Sequence, residues 1–406
     1  MDVMLLLIFA VVYAGMLLGE FPGMALDRTG VALLGAIAVV ATGRLSPHDA
    51  WQAIDVSTIG LLFGLMVVSA QLRLGGFYSR FTARLAALDV SPPFLLLLVV
   101  ISAGVLSALL CNDIICLAMA PVLADGCARR KLNPVPFLLA LAAAANVGSA
   151  ATLIGNPQNM LIGQMLQLSF ARYLWQALPP SLVGLVCVWL VIVISARGKW
   201  QSELPPPATV RHPFKIWQTA KGFMALGILI AAFLATNIPR EILALSAAGL
   251  LLTSRRMATR EMLEQVDWHL LVLFAGLFVV NHAMTASGVL DSILGLVRAT
   301  GIEPAQPAWL FALSVSLSNL VSNVPATMLL LPVAKHALAG PILALSSTFA
   351  GNLLVVGSIA NIIVVDQARE LGIRISWSDH AKVGIPITLL TLAVAGGWLA
   401  FLAGAI

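Results

Sequence analysis

Residues 152–159 read Thr-Leu-Ile-Gly-Asn-Pro-Gln-Asn and lie in the middle of a long apolar segment, residues 134–168. Glycine adopts unusual backbone angles and proline lacks an N–H donor, so this stretch predicts a break in a helix. A related stretch, Gly-Ser-Ile-Ala-Asn at 357–361, interrupts the apolar segment 341–366. Unpaired backbone groups are costly inside a bilayer, so such breaks persist only where protein or a water-filled cavity covers them.

The composition indicates a membrane protein. Of 406 residues, 23 are Lys or Arg and 18 are Asp or Glu, a charged fraction of 10%, against about 25% in soluble domains. Hydrophobic residues make up 60% of the chain, in segments close to the length of about 20 residues that spans a bilayer. This composition excludes a water-soluble enzyme and predicts an all-α polytopic protein in the lipid bilayer. Residues 3–19 are expected to be a retained first span, not a signal peptide.

Two further apolar segments, 92–127 and 306–336, are too long for one crossing and carry polar interruptions. The first contains Leu-Cys-Asn-Asp at 110–113, and the second contains Ser-Asn-Val-Pro at 322–325. We interpret each interruption as the tip of a re-entrant hairpin that returns to its own side of the membrane.

These features recur in the same order. Asp55 matches Asp267 at an offset of 212, Asn112 matches Asn323 at 211, and Gly155 matches Gly357 at 202. The chain is therefore predicted to contain two repeats, residues 1–196 and 219–406, joined by a linker, residues 197–218. Each repeat has five crossings, one hairpin and one broken helix. Because five is odd, the second repeat is expected to be inverted, an arrangement typical of secondary transporters.

The basic residues predict the orientation. With residues 197–218 in the cytoplasm, 18 of the 23 Lys and Arg residues fall inside and five outside, as the positive-inside rule requires. Both termini are then expected outside a plasma (inner) membrane. This distribution also explains the net charge of +5 without a nucleic-acid partner.

Polar groups at the breaks and tips form the predicted binding site, because half-helix ends offer N–H groups to anions and carbonyls to cations. The candidate substrate- or ion-binding residues beside Asp113 are neutral: Asn112, Thr152, Gly155, Asn156, Asn159, Ser322, Asn323, Thr327, Asn352, Gly357, Ser358 and Asn361. No Arg or Lys lies at a break. This favours a small neutral or weakly charged solute, or a cation, over a strongly held multivalent anion.

Asp113 is the one acid at a mid-membrane break. Its insertion costs about 2.5–3.5 kcal/mol, so it is a functional candidate by default. A capping role on the second half-helix of the hairpin is an alternative, and the two roles are compatible. The matching residue of the second hairpin is Val324. A proton or sodium ion carried by a carboxylate would therefore have its site in the first repeat alone.

Other intramembrane polar residues receive a more ordinary interpretation. Asn146, Asn281 and Asn319 are expected to tie neighbouring helices together, and Asp366 is expected to be a surface acid facing Arg369. Residues 74–88 and 288–299 are predicted to be amphipathic helices in the membrane interface, as connecting arms or passive surface helices. No cofactor, catalytic residue or structural metal site is predicted, because no Cys/His cluster occurs.

The tips Cys111-Asn112-Asp113 and Ser322-Asn323-Val324, with the breaks at 152–159 and 357–361, resemble the ion transporter superfamily over nearly the whole chain. That superfamily includes arsenite efflux permeases, silicon effluxers, citrate carriers and sodium/dicarboxylate symporters, and the Asn-Asp pair resembles the arsenite and silicon efflux branch most. The resemblance implies an elevator mechanism in a homodimer. The first three spans of each repeat would form a scaffold, and the hairpins, broken helices and following spans would form the transport domain. Sodium/dicarboxylate members carry Ser-Asn-Thr at both tips, and the departure here favours a protonatable Asp113.

The sequence thus predicts a proton- or sodium-coupled secondary transporter of a small anion or metalloid oxyacid, of the arsenite or silicate efflux kind. The alternatives are a dicarboxylate or citrate symporter and a sodium/proton antiporter in which Asp113 binds only cations. An enzyme is not expected, because HExxH, GxSxG and paired-aspartate motifs are absent. The absence of a P-loop excludes an ATP-driven pump, and a channel would not need two inverted, discontinuous repeats.

Overall fold

The regular structure of the described residues is helical throughout. The computed structural model describes residues 2–19, 24–202, 213–254 and 257–404. Residues 203–212, the central part of the predicted linker, lie outside the described residues.

The first half of the described chain has ten α-helices: α1 (Val3–Leu18), α2 (Arg28–Ala41), α3 (Pro47–Gln52), α4 (Val56–Leu74), α5 (Phe77–Ala86), α6 (Pro92–Leu109), α7 (Asn112–Arg129), α8 (Pro134–Ser149), α9 (Pro157–Met165) and α10 (Phe170–Ser195). The second half has ten as well: α11 (Ile216–Ala235), α12 (Arg240–Leu252), α13 (Thr259–Leu263), α14 (Trp268–Ala286), α15 (Val289–Ala299), α16 (Pro307–Val321), α17 (Asn323–Leu330), α18 (Ala339–Ala350), α19 (Ile359–Glu370) and α20 (Trp377–Gly404). Two 3₁₀ turns, Leu331–Val333 and Val355–Gly357, follow α17 and precede α19.

Six helices of the described chain are long and apolar enough to cross a membrane: α4, α6, α10, α11, α14 and α20. Shorter apolar helices, among them α1, α2, α8, α16 and α18, accompany them. The prediction of a polytopic helical membrane protein is thereby confirmed.

The two halves share their order of elements and their helix caps. The Asp55 carboxylate accepts from the Thr58 N–H at the start of α4 (2.6 Å), and Asp267 accepts from the Leu270 N–H at the start of α14 (2.9 Å). The amphipathic helices α5 and α15 each follow a glycine in the left-handed region, Gly76 at φ 73° and Gly288 at φ 71°. Both pairs of caps are separated by the sequence offset of 212.

The helices pack in two groups. In the first group, α4 packs on α12, and α14 packs on α2. A Cβ atom at Gly64 would lie 2.6 Å from the carbonyl carbon of Ala244, and one at Gly276 would lie 2.7 Å from that of Ala32. The two contacts are related by the same offset of 212. Glycine therefore permits a close approach of backbones at two equivalent helix crossings.

The second group contains the predicted hairpins and broken helices. Here α6 packs on α8 and α16 on α18, while α10 packs on α20 and α19 packs on both α7 and α8. Among the segments that separate these helices, Leu110–Cys111 and Ser322 form the hairpin tips, and residues 150–156 and 351–358 form the breaks. The structure thus confirms that the predicted polar stretches interrupt helices.

Candidate functional site

The tip of the first hairpin is fixed on the first break. The backbone N–H of Asn112 donates to the carbonyl oxygen of Gly155 (3.1 Å), and the Thr152 hydroxyl donates to the carbonyl oxygen of Ala108. A Cβ atom at Gly155 would lie 2.8 Å from the carbonyl oxygen of Ser107. The hairpin and the break approach so closely that only glycine fits at this position.

The second hairpin meets the second break in a similar way. A Cβ atom at Gly351 would lie 3.3 Å from Nδ2 of Asn323, and one at Gly357 would lie 3.1 Å from Oδ1 of Asn319. Ser322, at the tip, has a φ of 73°, in the left-handed region that favours glycine. Each hairpin tip therefore rests on the broken helix of its own half.

Asn146 of α8 joins these parts. Its Nδ2 donates to Oδ1 of Asn352 (2.9 Å) and of Asn361 (3.2 Å). Its Oδ1 accepts from the Ser358 hydroxyl (2.8 Å) and from Nδ2 of Asn112 (3.2 Å). One buried amide thus links α8, the first hairpin tip, the second break and α19.

Hydrogen bonds also cross between the halves in a reciprocal pattern. Asn146 of the first half bonds Ser358 of the second, and Thr348 of the second half accepts from Nδ2 of Asn156 in the first (3.4 Å). Thr348 also accepts from Nε2 of Gln158 (3.1 Å). The pairs Asn146/Thr348 and Asn156/Ser358 are both 202 residues apart, so the two bonds occupy equivalent places.

Asn159 and Asn361 use their amide N–H groups on the backbone of the breaks. Nδ2 of Asn159 donates to the carbonyl oxygens of Ser149 (3.3 Å) and Thr152 (2.9 Å). Nδ2 of Asn361 donates to the carbonyl oxygens of Gly351 (2.8 Å) and Leu354 (3.2 Å), the residues that match Ser149 and Thr152 in the second half. These amides satisfy carbonyls that the breaks leave free, so their N–H groups are already engaged in the protein.

Asp113 lies in the first turn of α7 and is half-buried. Its carboxylate has no hydrogen-bond partner among the described residues, and the N-cap residue of α7, Cys111, makes no side-chain capping bond to the helix backbone. The structure does not contain the capping bond that sequence analysis left as an alternative. The carboxylate is therefore available to an ion.

Several buried polar atoms without partners lie at the second hairpin and its break. Within the described residues, Oδ1 of Asn319, Oδ1 of Asn323, Oγ1 of Thr327 and Nδ2 of Asn352 lack hydrogen-bond partners. Each unmet group has a cost of about 1–3 kcal/mol, and a bound ligand would offset it. Two amide oxygens that accept, one hydroxyl that both donates and accepts, and one amide NH₂ group that donates therefore remain available here.

The two breaks differ in exposure. Leu354 and Val356 of the second break are 39% and 38% exposed, whereas the matching Thr152 and Ile154 are 5% and 1% exposed.

Contacts between the two helix groups form at one of two equivalent sets of positions. Helix α9 packs on α4, and α17 packs on α14, but α19 with α14 and α7 with α4 make no contact of similar extent in the described chain.

The structure brings most of the predicted site residues into one network. Those joined directly or through Asn146 are Asn112, Asn156, Asn159, Thr152, Gly155, Asn352, Ser358 and Asn361, while Ser322, Asn323, Thr327 and Gly357 lie at the second tip and its break. The sequence interpretation ranked Asn146 as a weaker site candidate, expected chiefly to tie neighbouring helices, and did not consider Thr348. Both precede a break residue by ten positions, Asn156 and Ser358, and this repeated spacing was the signal available.

Comparison with known proteins identifies the family and the fold. The model of the citrate transporter family, CitMHS, matches residues 3–342. The Escherichia coli K12 inner membrane protein YbiR is 31% identical over 356 residues, covering 86% of this chain and 89% of YbiR. The silicon efflux transporter LSI3 of Oryza sativa subsp. japonica is 28% identical over 455 residues, covering 92% of each chain. The crystal structure of the Alcanivorax borkumensis YdaH transporter aligns with a TM-score of 0.56 at 15% identity, over 98% of this chain and 97% of YdaH, and supports the fold alone.

Proposed function

Because this chain belongs to the citrate transporter family, we propose that it is a cation-coupled secondary transporter that exports a small metalloid oxyacid or anion of the arsenite or silicate kind. The neutral network of Asn112, Asn146, Asn352 and Asn361 carries the proposal. No Arg or Lys side chain hydrogen-bonds these groups in the described part of the chain. The site thus combines donors and acceptors without fixed positive charge.

This chemistry suits a hydroxylated, uncharged solute. Arsenous and silicic acids present hydroxyl groups that both donate and accept, and a carboxamide offers the matching acceptor and donors. Citrate carries three carboxylates, which proteins usually bind with Arg or Lys through charge-assisted bonds. The unpartnered Nδ2 of Asn352 and Oδ1 of Asn323 are the groups we expect the solute to contact.

Asp113 is the proposed coupling group. Its carboxylate lies at the edge of the network, half-buried and without a partner in the described chain, and can exchange a proton with water. Sodium is the alternative coupling ion, and the unpartnered oxygens of Asn323 and Thr327 are of the kind that sodium binds. A sodium/proton antiporter would use the same groups without a solute.

The two packing groups fit an elevator mechanism. Helices α1–α4 and α11–α14 would form the scaffold, and α6–α10 and α16–α20 the transport domain, in two inverted repeats. If residues 197–218 lie in the cytoplasm, the C-terminus of α9 lies on the outer side of the membrane. The second hairpin enters the membrane from that same side. Their contacts with α4 and α14 would close the site from outside, so the present conformation would be inward-facing. The homodimer implied by the superfamily resemblance completes the proposal.

Flux in proteoliposomes tests the function. We expect a pH gradient to drive arsenite or silicate transport, and Asp113→Asn to reduce this flux at least tenfold. Asp291→Asn is the matched control, because Asp291 is an exposed acid of α15 outside the site. Flux that persists in Asp113→Asn would remove this residue from coupling. Sodium/proton exchange without added solute would favour the antiporter, and uptake of labelled citrate or succinate would favour the symporter.

A further inference from the structure

Arg240 joins the two packing groups on the side where α9 ends. It is the first residue of α12, and its Nη2 donates to the carbonyl oxygen of Gly163 (2.6 Å) and to Oε1 of Gln164 (3.2 Å) near the C-terminus of α9. Glu241 accepts from Nε2 of Gln164 (2.8 Å). The C-terminal carbonyls of a helix carry partial negative charge, which favours a cation. These bonds, beside a polar cavity of about 440 Å³, hold α9 against α12.

Arg28 occupies the equivalent place in the first half without an equivalent bond. It is the first residue of α2 and stands 212 positions before Arg240. Its Nε is buried, and its guanidinium makes no hydrogen bond or ion pair with any described residue. Burial of an unpaired N–H of a charged guanidinium is unfavourable, so this half-buried arginine is expected to gain a partner in another conformation.

The sequence offset identifies that partner. The residues 202 positions after Gly163 and Gln164 are Val365 and Asp366, near the C-terminus of α19. Asp366 is exposed and, within the described chain, forms no ion pair with Arg369 or with any other residue. The surface pair expected from the sequence is therefore not formed. An arginine and a carboxylate are left unpaired at equivalent positions of the two groups.

The one-sided packing makes the two contacts mutually exclusive. Helix α9 packs on α4 here, while α19 has no comparable contact with α14 in the described residues. A movement of the transport domain that brings the end of α19 to Arg28 must carry the end of α9 away from Arg240. Resting on the elevator motion of the proposed function, we infer that two contacts act as alternating latches, one for each end state: Arg240 with the end of α9, chiefly the Gly163 carbonyl, and Arg28 with Asp366.

Disulfide crosslinking of the full chain tests this inference. Gln164→Cys with Glu241→Cys replaces two side chains that touch at 2.8 Å and leaves the bond from Arg240 to the Gly163 carbonyl. The rate of copper-phenanthroline crosslinking reports how often the present conformation occurs. The native cysteines stay in place, because each single-cysteine variant reports any crosslink to them.

We expect Arg240→Gln to lower the crosslinking rate, and Arg28→Gln or Asp366→Asn to raise it, each by about two- to fivefold, as for an exposed ion pair. The double variant of Arg28 and Asp366 should equal either single variant, because both remove one interaction. Exchanging the two residues, Arg28→Asp with Asp366→Arg, should restore the original rate. Arg44→Gln, which removes an ion pair with Asp2 at 2.8 Å, should leave the rate unchanged.

An unchanged rate in Arg28→Gln and Asp366→Asn, or additive effects in their double variant, would overturn the latches. Crosslinking needs no solute, so its outcome is separate from that of the flux assay. Altered rates without arsenite or silicate flux would support the latches and refute the proposed solute. Arsenite or silicate flux with unaltered crosslinking rates would support the proposed solute and refute the latches.

Discussion

Replacing Asn146 by alanine removes the side chain on which the candidate site converges. Four hydrogen bonds of 2.8–3.2 Å are lost, to Asn112, Asn352, Ser358 and Asn361. Each partner is at most 5% exposed, so water replaces few of these bonds in the folded protein. The expected result is a loss of stability together with a loss of transport.

The magnitude follows from the number of bonds. Interhelical hydrogen bonds in membrane proteins contribute about 0.6 kcal/mol on average, so four bonds give about 2.4 kcal/mol. Buried groups left unpaired raise the cost, since each unmet donor or acceptor costs about 1–3 kcal/mol. Relaxation of the amides toward one another offsets part of this cost. We expect Asn146→Ala to lower the free energy of unfolding by about 2–4 kcal/mol.

Unfolding by titration with dodecyl sulfate measures the loss, and flux in proteoliposomes measures transport. Ser346→Ala is the matched control, because the Ser346 hydroxyl is buried and donates to the Ile342 carbonyl (2.6 Å) of its own helix. It should cost less than about 1 kcal/mol and leave flux intact. An Asn146→Ala protein that matches the Ser346→Ala protein in stability and flux would refute the central role of this amide.

Two pairs of glycine substitutions probe the close packing, and one tyrosine substitution probes a buried hydrogen bond. Gly155→Ala should abolish flux, because its Cβ would overlap the Ser149 carbonyl oxygen. Gly357→Ala should only reduce flux, because its Cβ would lie 3.1 Å from its nearest neighbour. Equal flux in the two variants would contradict this reasoning. Gly64→Ala, with a Cβ 2.6 Å from α12, should destabilise by about 1–3 kcal/mol in the same titration, while an alanine on the open face of α12, Gly249→Ala, should not. Tyr173→Phe removes a hydroxyl that donates to the Ala150 carbonyl (2.7 Å) and accepts from Nδ2 of Asn159 (3.1 Å). It should lower the unfolding free energy by about 1–2 kcal/mol, and an unchanged midpoint would exclude that contribution.

The sequence located the interruptions because polar and helix-breaking residues are conspicuous in apolar segments. Asn112, Asn156 and Asn323 mark positions where helices begin in the structure. The sequence predicted the ends of the membrane spans less accurately. The apolar run 181–196 predicts a span that starts just after Pro179 and Pro180. In the structure, α10 begins earlier, at Phe170, after its N-cap residue Ser169. Capping, and not hydropathy, sets that helix start.

The centre of the site was not predictable from the same signals. Asn146 follows a run of alanines, Ala142–Ala145, in an unbroken helix, where an amide equally suits a simple tie between helices. Which face of α8 meets the second half depends on tertiary packing. The conformational state could not be predicted from the sequence for a related reason. Repeated spacing implies equivalent contacts, whereas one conformation forms only one set, as the unequal exposure of Thr152 and Leu354 illustrates.

The difference between the halves bears directly on coupling. The first turn of α7 holds Asp113 and Ile114, both partly exposed, while the matching turn of α17, with Val324 and Pro325, is buried. The one carboxylate among the site residues therefore lies on the hairpin that is more open in this conformation. Under the proposed topology that hairpin faces the cytoplasm, so Asp113 would exchange its proton there. A symmetric pair of acids would leave one of them buried against the scaffold in each end state, at a desolvation cost that Val324 avoids.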